Sequence, residues 1–182
     1  MLLQNNLNNL GSKMIPFSLK GTDGKIYSET HFSNKDIPVI IFMCNHCPYV
    51  IAVIDRLVSL QSKFSDKKVK LIGINPNDPE AYPRDSFENM KKFALEHGLN
   101  FPYLVDETQE TAKKYDAVCT PDIFVYDRKK ELRYRGRIDD NWKDNNNVTS
   151  EDLSNAITSI LNEEEIKIKQ YPSMGCSIKW KK

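Results

Sequence analysis

Val39-Ile40-Ile41-Phe42-Met43-Cys44-Asn45-His46-Cys47-Pro48-Tyr49 is the stretch on which the reading of this chain turns. Val39 to Met43 is apolar, partly β-branched and free of charge, which suits a central strand buried on both faces. After Cys47 the apolar residues Val50, Ile51, Val53, Ile54, Leu57, Val58 and Phe64 recur at helical spacing. Pro48 stands in the first turn, where its missing N–H costs little. Cys44 and Cys47 thus form a C-x-x-C pair where a strand gives way to a helix. A helix N-terminus offers unpaired N–H groups and a partial positive charge, which favour a thiolate over a thiol. The thiolate is both the nucleophile and the metal ligand, so redox and metal chemistry both follow from this motif.

On either side of that stretch the pattern is α/β. Ile15-Pro16-Phe17-Ser18-Leu19 and Thr22 to Tyr27 read as a small hairpin turning at Asp23-Gly24. Val69 to Ile74 reads as a second buried strand, and the prolines Pro76, Pro79 and Pro83 make the next segment a loop. Ser86 to His97 is an amphipathic helix stopped by Gly98, and a shorter helix covers Thr108 to Tyr115. Asp122 to Tyr126 and Leu132 to Gly136 are further strands, joined as a hairpin by Asp127 to Lys130. Thr149-Ser150-Glu151-Asp152 opens a last helix with capping residues and puts Leu153, Ile157, Ile160 and Leu161 on one face. This order predicts a central mixed sheet flanked by helices, its working edge at the carboxyl ends of the parallel strands. The expected organisation is a tail at 1–13, one domain at 14–162 and a tail at 163–182 carrying Cys176.

Composition narrows the function. In 182 residues, 40% hydrophobic and 28% charged, one globular domain is expected. The net charge of +1 gives no reason to expect nucleic acid or an anionic membrane as partner. Four cysteines are too few for a disulfide-built scaffold of this length. The Asn-rich start, Met1 to Ser12, lacks the apolar core of a signal peptide, so the expected location is the cytoplasm, with reduced thiols.

With these residues in hand, the chain resembles the thioredoxin-like fold over roughly residues 14–162. The C-x-x-C at the strand–helix junction, the spacing of the elements and Thr120-Pro121 before the third strand carry the likeness. By resemblance Pro121 is cis and faces the cysteines. The early hairpin and the long segment 75–117 look like the redoxin branch, which includes the peroxiredoxins. A nearer resemblance is to an uncharacterised peroxiredoxin-like (alkyl hydroperoxide reductase–thiol-specific antioxidant related) group. It rests on Cys44-Asn45-His46-Cys47-Pro48-Tyr49-Val50, Phe101-Pro102-Tyr103-Leu104, Cys119-Thr120-Pro121-Asp122, Tyr134 to Asp139 and Gly175 to Trp180.

The resemblance implies a thiol–disulfide oxidoreductase with a redox-active disulfide, no other cofactor and no resident metal. Cys44 would be the exposed attacking thiolate, Cys47 the resolving thiol, and Thr120-Pro121 an open edge for a protein or small-molecule disulfide, with a thiol reductant system as second partner. His46, placed as in disulfide isomerases and strong oxidants, shifts the pair toward oxidising potentials. Two departures stand out. Pro38 occupies the place of thioredoxin's buried acid, and Ile41 and Ile37 (or Cys44 and Ile40) break the peroxiredoxin pattern P-x-x-x-T/S-x-x-C. A peroxidase of atypical motif therefore ranks second. A metal-binding or carrier protein ranks third, using Cys44, Cys47, Cys119 and Cys176 if the tail folds back. Cys119 is read either as a relay thiol or as a small core residue, and Cys176 as site thiol or bystander. Arg135 and Arg137 are assigned to a solvated strand face.

Overall fold

The computed structural model describes residues 2–4 and 9–182. Its elements in chain order are β1 (Leu2–Gln4), β2 (Ser18–Gly21), β3 (Ile26–Ser28), β4 (Ile37–Phe42), α1 (Pro48–Ile51), α2 (Ile54–Lys63) and β5 (Val69–Asn75). There follow α3 (Phe87–Glu96), β6 (Tyr103–Val105), α4 (Glu110–Lys114), β7 (Cys119–Thr120), β8 (Asp122–Tyr126), β9 (Leu132–Gly136), α5 (Asp152–Leu161) and β10 (Met174–Ser177).

Seven strands form one mixed sheet in the order β3-β2-β6-β5-β4-β8-β9. β4 lies near its centre, parallel to β5 and antiparallel to β8, and every residue of it is buried. Side chains alternate across a strand, so Ile37, Val39 and Ile41 face one core while Ile40 and Phe42 face the other. The first core packs under α2, α3 and α5, and the second takes Ala112 of α4 and Tyr115 just after it, with Phe17, Phe32 and Ile178. The uncharged run at 39–43 thus became the two-faced strand its composition predicts.

Several expectations are corrected. β6 was not anticipated: it is three residues long, follows Pro102, and carries no period to read. The N-terminal segment is not simply a tail, because β1 is a strand paired with β10, with Leu2 opposite Cys176; residues 1 and 5–8 of that expected tail lie outside the described residues. The C-terminal segment is likewise built in: β10 pairs with β7, giving a second, three-stranded sheet in the order β1-β10-β7. At α5 the N-cap is Glu151 without a side-chain cap, since Thr149 bonds Asp140 and Ser150 bonds the Asp152 carboxylate. Arg135 is not solvated. It is 0% exposed, donates to Asp122 Oδ2 at 3.0 Å and to the Asp116 carbonyl at 2.6 Å, and lies over the Phe124 ring. Arg137 pairs with Asp152 at 2.6 Å. Both guanidiniums are held by structural carboxylates.

Candidate active site

The parallel strands β4 and β5 end at one edge, where the chain leaves β4 through Met43, whose N–H donates to the Ile74 carbonyl at 2.8 Å. Cys44, Asn45 and His46 form the loop, and Cys47 is the N-cap of α1 with Pro48 as its first residue. Opposite lies the Thr120–Pro121 peptide, which is cis as expected. Cys44 Sγ sits 3.5 Å from Thr120 Oγ1, and the Cys47 thiol donates to the Thr120 carbonyl at 3.0 Å. Cys44, Cys47, Thr120 and Pro121 are therefore brought together.

The expected exposure of Cys44 is not found: Cys44 is 1% exposed and Cys47 0%. Nor is Cys44 the residue at the helix start, a position held by Cys47. The electrostatics follow this placement. The Cys44 thiol donates to the Cys47 sulfur, which pushes Cys44 well above the ordinary thiol range. Burial and the Asp85 carboxylate push Cys44 the same way. Cys47, receiving that bond and further ones from Thr120 and from the thiol and backbone N–H of Cys176, falls to about 5 despite its burial. The readily ionised thiol is Cys47.

Asp85 is the residue that sequence reasoning missed. Its side chain is 0% exposed, at the end of a short 3-10 turn, Pro83–Asp85, in the loop after β5. It accepts from the Asn45 backbone N–H at 2.8 Å and from Asn77 Nδ2 at 2.7 Å. Its Oδ2 also lies 2.7 Å from His46 Nδ1, an approach without the in-line geometry of a hydrogen bond, and so an ionic contact when the ring is protonated. His46 stacks parallel on Tyr82, with ring centroids 5.7 Å apart. Asn45 Oδ1 accepts from the buried Tyr103 hydroxyl at 2.9 Å. An acid thus stands beside the cysteines although Pro38 occupies the place expected for one. The signal available was an Asp between Pro83 and the helix cap Ser86, which nothing distinguishes from Asp78 in the same loop.

Cys119 lies in β7 with its thiol directed at the carbonyls of Pro121 (3.5 Å) and Ser173 (3.8 Å), and burial raises it far above the ordinary thiol range. Cys176 comes to the site on β10, opposite Thr120. Among the described residues, the ligand atoms near enough to share an ion belong to Cys44, His46 and Asp85, all within 4.8 Å of one another. The four cysteines do not gather into a ligand set, and a three-residue mixed set falls short of the four ligands of a closed zinc site. Thr120–Pro121 is not an open edge either, because β10 is already paired along it.

A model of the AhpC/TSA family matches residues 10–135. The chain belongs to the AhpC/TSA family. This places it among thioredoxin-like redox proteins, as the cysteine pair at the strand–helix junction leads one to expect. An uncharacterised conserved protein from Geobacillus kaustophilus superposes with a TM-score of 0.93 at 45% identity, covering 100% of this chain and 97% of that one. The thioredoxin domain of a thiol-disulfide oxidoreductase from Bacteroides vulgatus has a TM-score of 0.66 at 17% identity, covering 84% and 98%. A peroxidoxin from Mycobacterium tuberculosis has a TM-score of 0.59 at 16% identity, covering 85% and 94%. The last two establish likeness of fold. No curated protein matches the sequence. No helix among the described residues is long and apolar enough to cross a membrane.

Proposed function

We propose that this AhpC/TSA-family protein is a thiol–disulfide oxidoreductase acting in the cytoplasm, with Cys47 as the attacking thiolate and Cys44 as the resolving thiol. The observation that carries the reading is the placement of Cys47. It caps α1, takes a hydrogen bond from Cys44, and ionises near pH 5. Roles are exchanged relative to the sequence reading because the low-pKa thiol is the second of the pair.

Toward a disulfide R–S–S–R′, Cys47 Sγ bonds one sulfur, the S–S bond breaks, and R′ leaves as a thiolate that takes up a proton. Cys44 then attacks Cys47 Sγ, giving up its proton and releasing R as the second thiolate. The enzyme is left with a Cys44–Cys47 disulfide and the substrate as two thiols. A thiol reductant restores the pair, and the same steps run in reverse oxidise a dithiol. No metal or further cofactor enters this scheme. A cleft of about 200 Å³ lies beside Pro121, lined by Tyr49, Trp142, Arg137 and Met174 among others, and could hold a substrate group on the Pro121 side of the site.

Trapping tests the assignment. In a Cys176→Ser background, where no neighbouring thiol is left to resolve it, Cys44→Ser is expected to accumulate mixed disulfides through Cys47 under oxidative load, detected as reductant-sensitive adducts by mass spectrometry. Adducts on Cys44 of Cys47→Ser, with none on Cys47 of Cys44→Ser, would reverse the roles. No adducts in either variant would remove the activity altogether.

Family membership favours a second reading, a thiol peroxidase. It predicts rapid hydroperoxide consumption by the reduced protein that disappears with Cys47→Ser, measured by stopped flow. The absence of the P-x-x-x-T/S-x-x-C pattern weighs against it.

A further inference from the structure

β10 occupies the edge that an extended peptide would use for main-chain pairing beside the cysteines. Its register puts Cys176 opposite Thr120 and Ser177 opposite Cys119. The approach is close enough to select the residue at 175: a Cβ on Gly175 would lie 2.0 Å from the Thr120 carbonyl oxygen and 2.6 Å from its carbon. These are backbone atoms of the loop facing the thiols, so neither partner can yield cheaply. Cys176 packs against the core cluster that holds Cys44 and Cys47, and its thiol hydrogen-bonds Cys47. Cys119, by contrast, points away to Pro121 and Ser173. The cysteine on the tail therefore sits where the cysteine of a docked substrate would sit.

We propose that Cys176 is a third redox thiol of the chain, exchanging with the Cys44–Cys47 disulfide to give a Cys47–Cys176 disulfide. The proposal rests on the redox pair of the preceding section. The Cys176 sulfur, having lost its proton, bonds Cys47 Sγ; the Cys44–Cys47 bond breaks; and its electron pair leaves on Cys44, which takes up a proton. No net oxidation occurs, so the step needs no oxidant beyond the disulfide substrate that formed the first bond. The exchange returns Cys44 to the free thiol and fastens β10 covalently over the site.

The test uses the full chain, reduced and then treated with oxidised glutathione, acid-quenched, alkylated and digested with trypsin. The expected product joins Asp36–Arg56 to Gln170–Lys179, with the alkyl group on Cys44 and the intact protein monomeric. Protein that carries a Cys44–Cys47 disulfide but always an alkylated or glutathionylated Cys176 would overturn the exchange and leave the redox pair standing. Protein that forms neither disulfide would overturn the redox pair as well. Cys176→Ser, nearly isosteric, should hold the Cys44–Cys47 disulfide alone. Gly175→Ala keeps every thiol yet should lose the Cys47–Cys176 product, because the added methyl meets the Thr120 backbone. An undiminished yield from Gly175→Ala would overturn delivery by the strand.

Discussion

Two chemically identical thiols are separated first by the hydrogen bond between them and by burial, and Asp85 adds to the difference. Its carboxylate disfavours a negative charge on Cys44, in the same direction as those two larger effects. Asp85→Asn removes that repulsion, so the Cys44 pKa is expected to fall, as read from the pH dependence of thiolate absorbance in Cys47→Ser. An unchanged profile would show that Asp85 acts only by holding Asn45. Cys47 carries a stability consequence of definite sign. Its folded-state pKa of about 5 lies below the ordinary value of 9.0, so ionisation stabilises the fold fully above pH 9 and that stabilisation is lost as pH falls through 5. The urea midpoint of the reduced protein should therefore gain on that of Cys47→Ser between pH 5 and pH 9.

At the scale of elements, the helices and strands with a clear apolar period formed where their pattern placed them. α5 buries Leu153, Ile157 and Ile160 against the β4 side of the sheet, the face its spacing picks out. Ile157→Ala should cost about 2–5 kcal/mol, the usual range for such a truncation, measured by urea denaturation. β10 behaves differently. Gly175, Cys176 and Ser177 carry no period, and the strand exists because β1 and β7 offer it partners on both sides. Its pairing also answers why Thr120–Pro121 is closed to an extended protein substrate in this state: β10 has to leave before such a chain can dock.

Over the whole molecule, the two ends of the chain close the working edge of the large sheet. Ile178, just past β10, is buried in the second core with Phe124 and Ile74. Removing residues 174–182 should therefore destabilise the protein by about 1.5–3 kcal/mol through loss of that side chain, seen in its denaturation curve. The same truncation should raise the alkylation rate of Cys47, since the Thr120 edge is uncovered. A truncated protein with unchanged alkylation would show that the tail does not limit access.

The mixed sheet, the burial of β4, the strand–helix junction at Cys44–Cys47 and the place of Pro121 were legible in the residues themselves. Each is expressed by neighbours along the chain or by a motif of fixed spacing, and local sequence records local geometry. The buried Arg135–Asp122 pair, the carboxylate of Asp85 beside His46, the choice of Cys47 as the ionising thiol and the return of Cys176 to the site were decided by the tertiary structure alone. Asp85 meets Asn45 across 40 residues and Cys47 meets Thr120 across 73. A charge or a thiol carries no mark in sequence of the partner that folding brings to it, and it is the partner that sets its burial, its pKa and its chemistry.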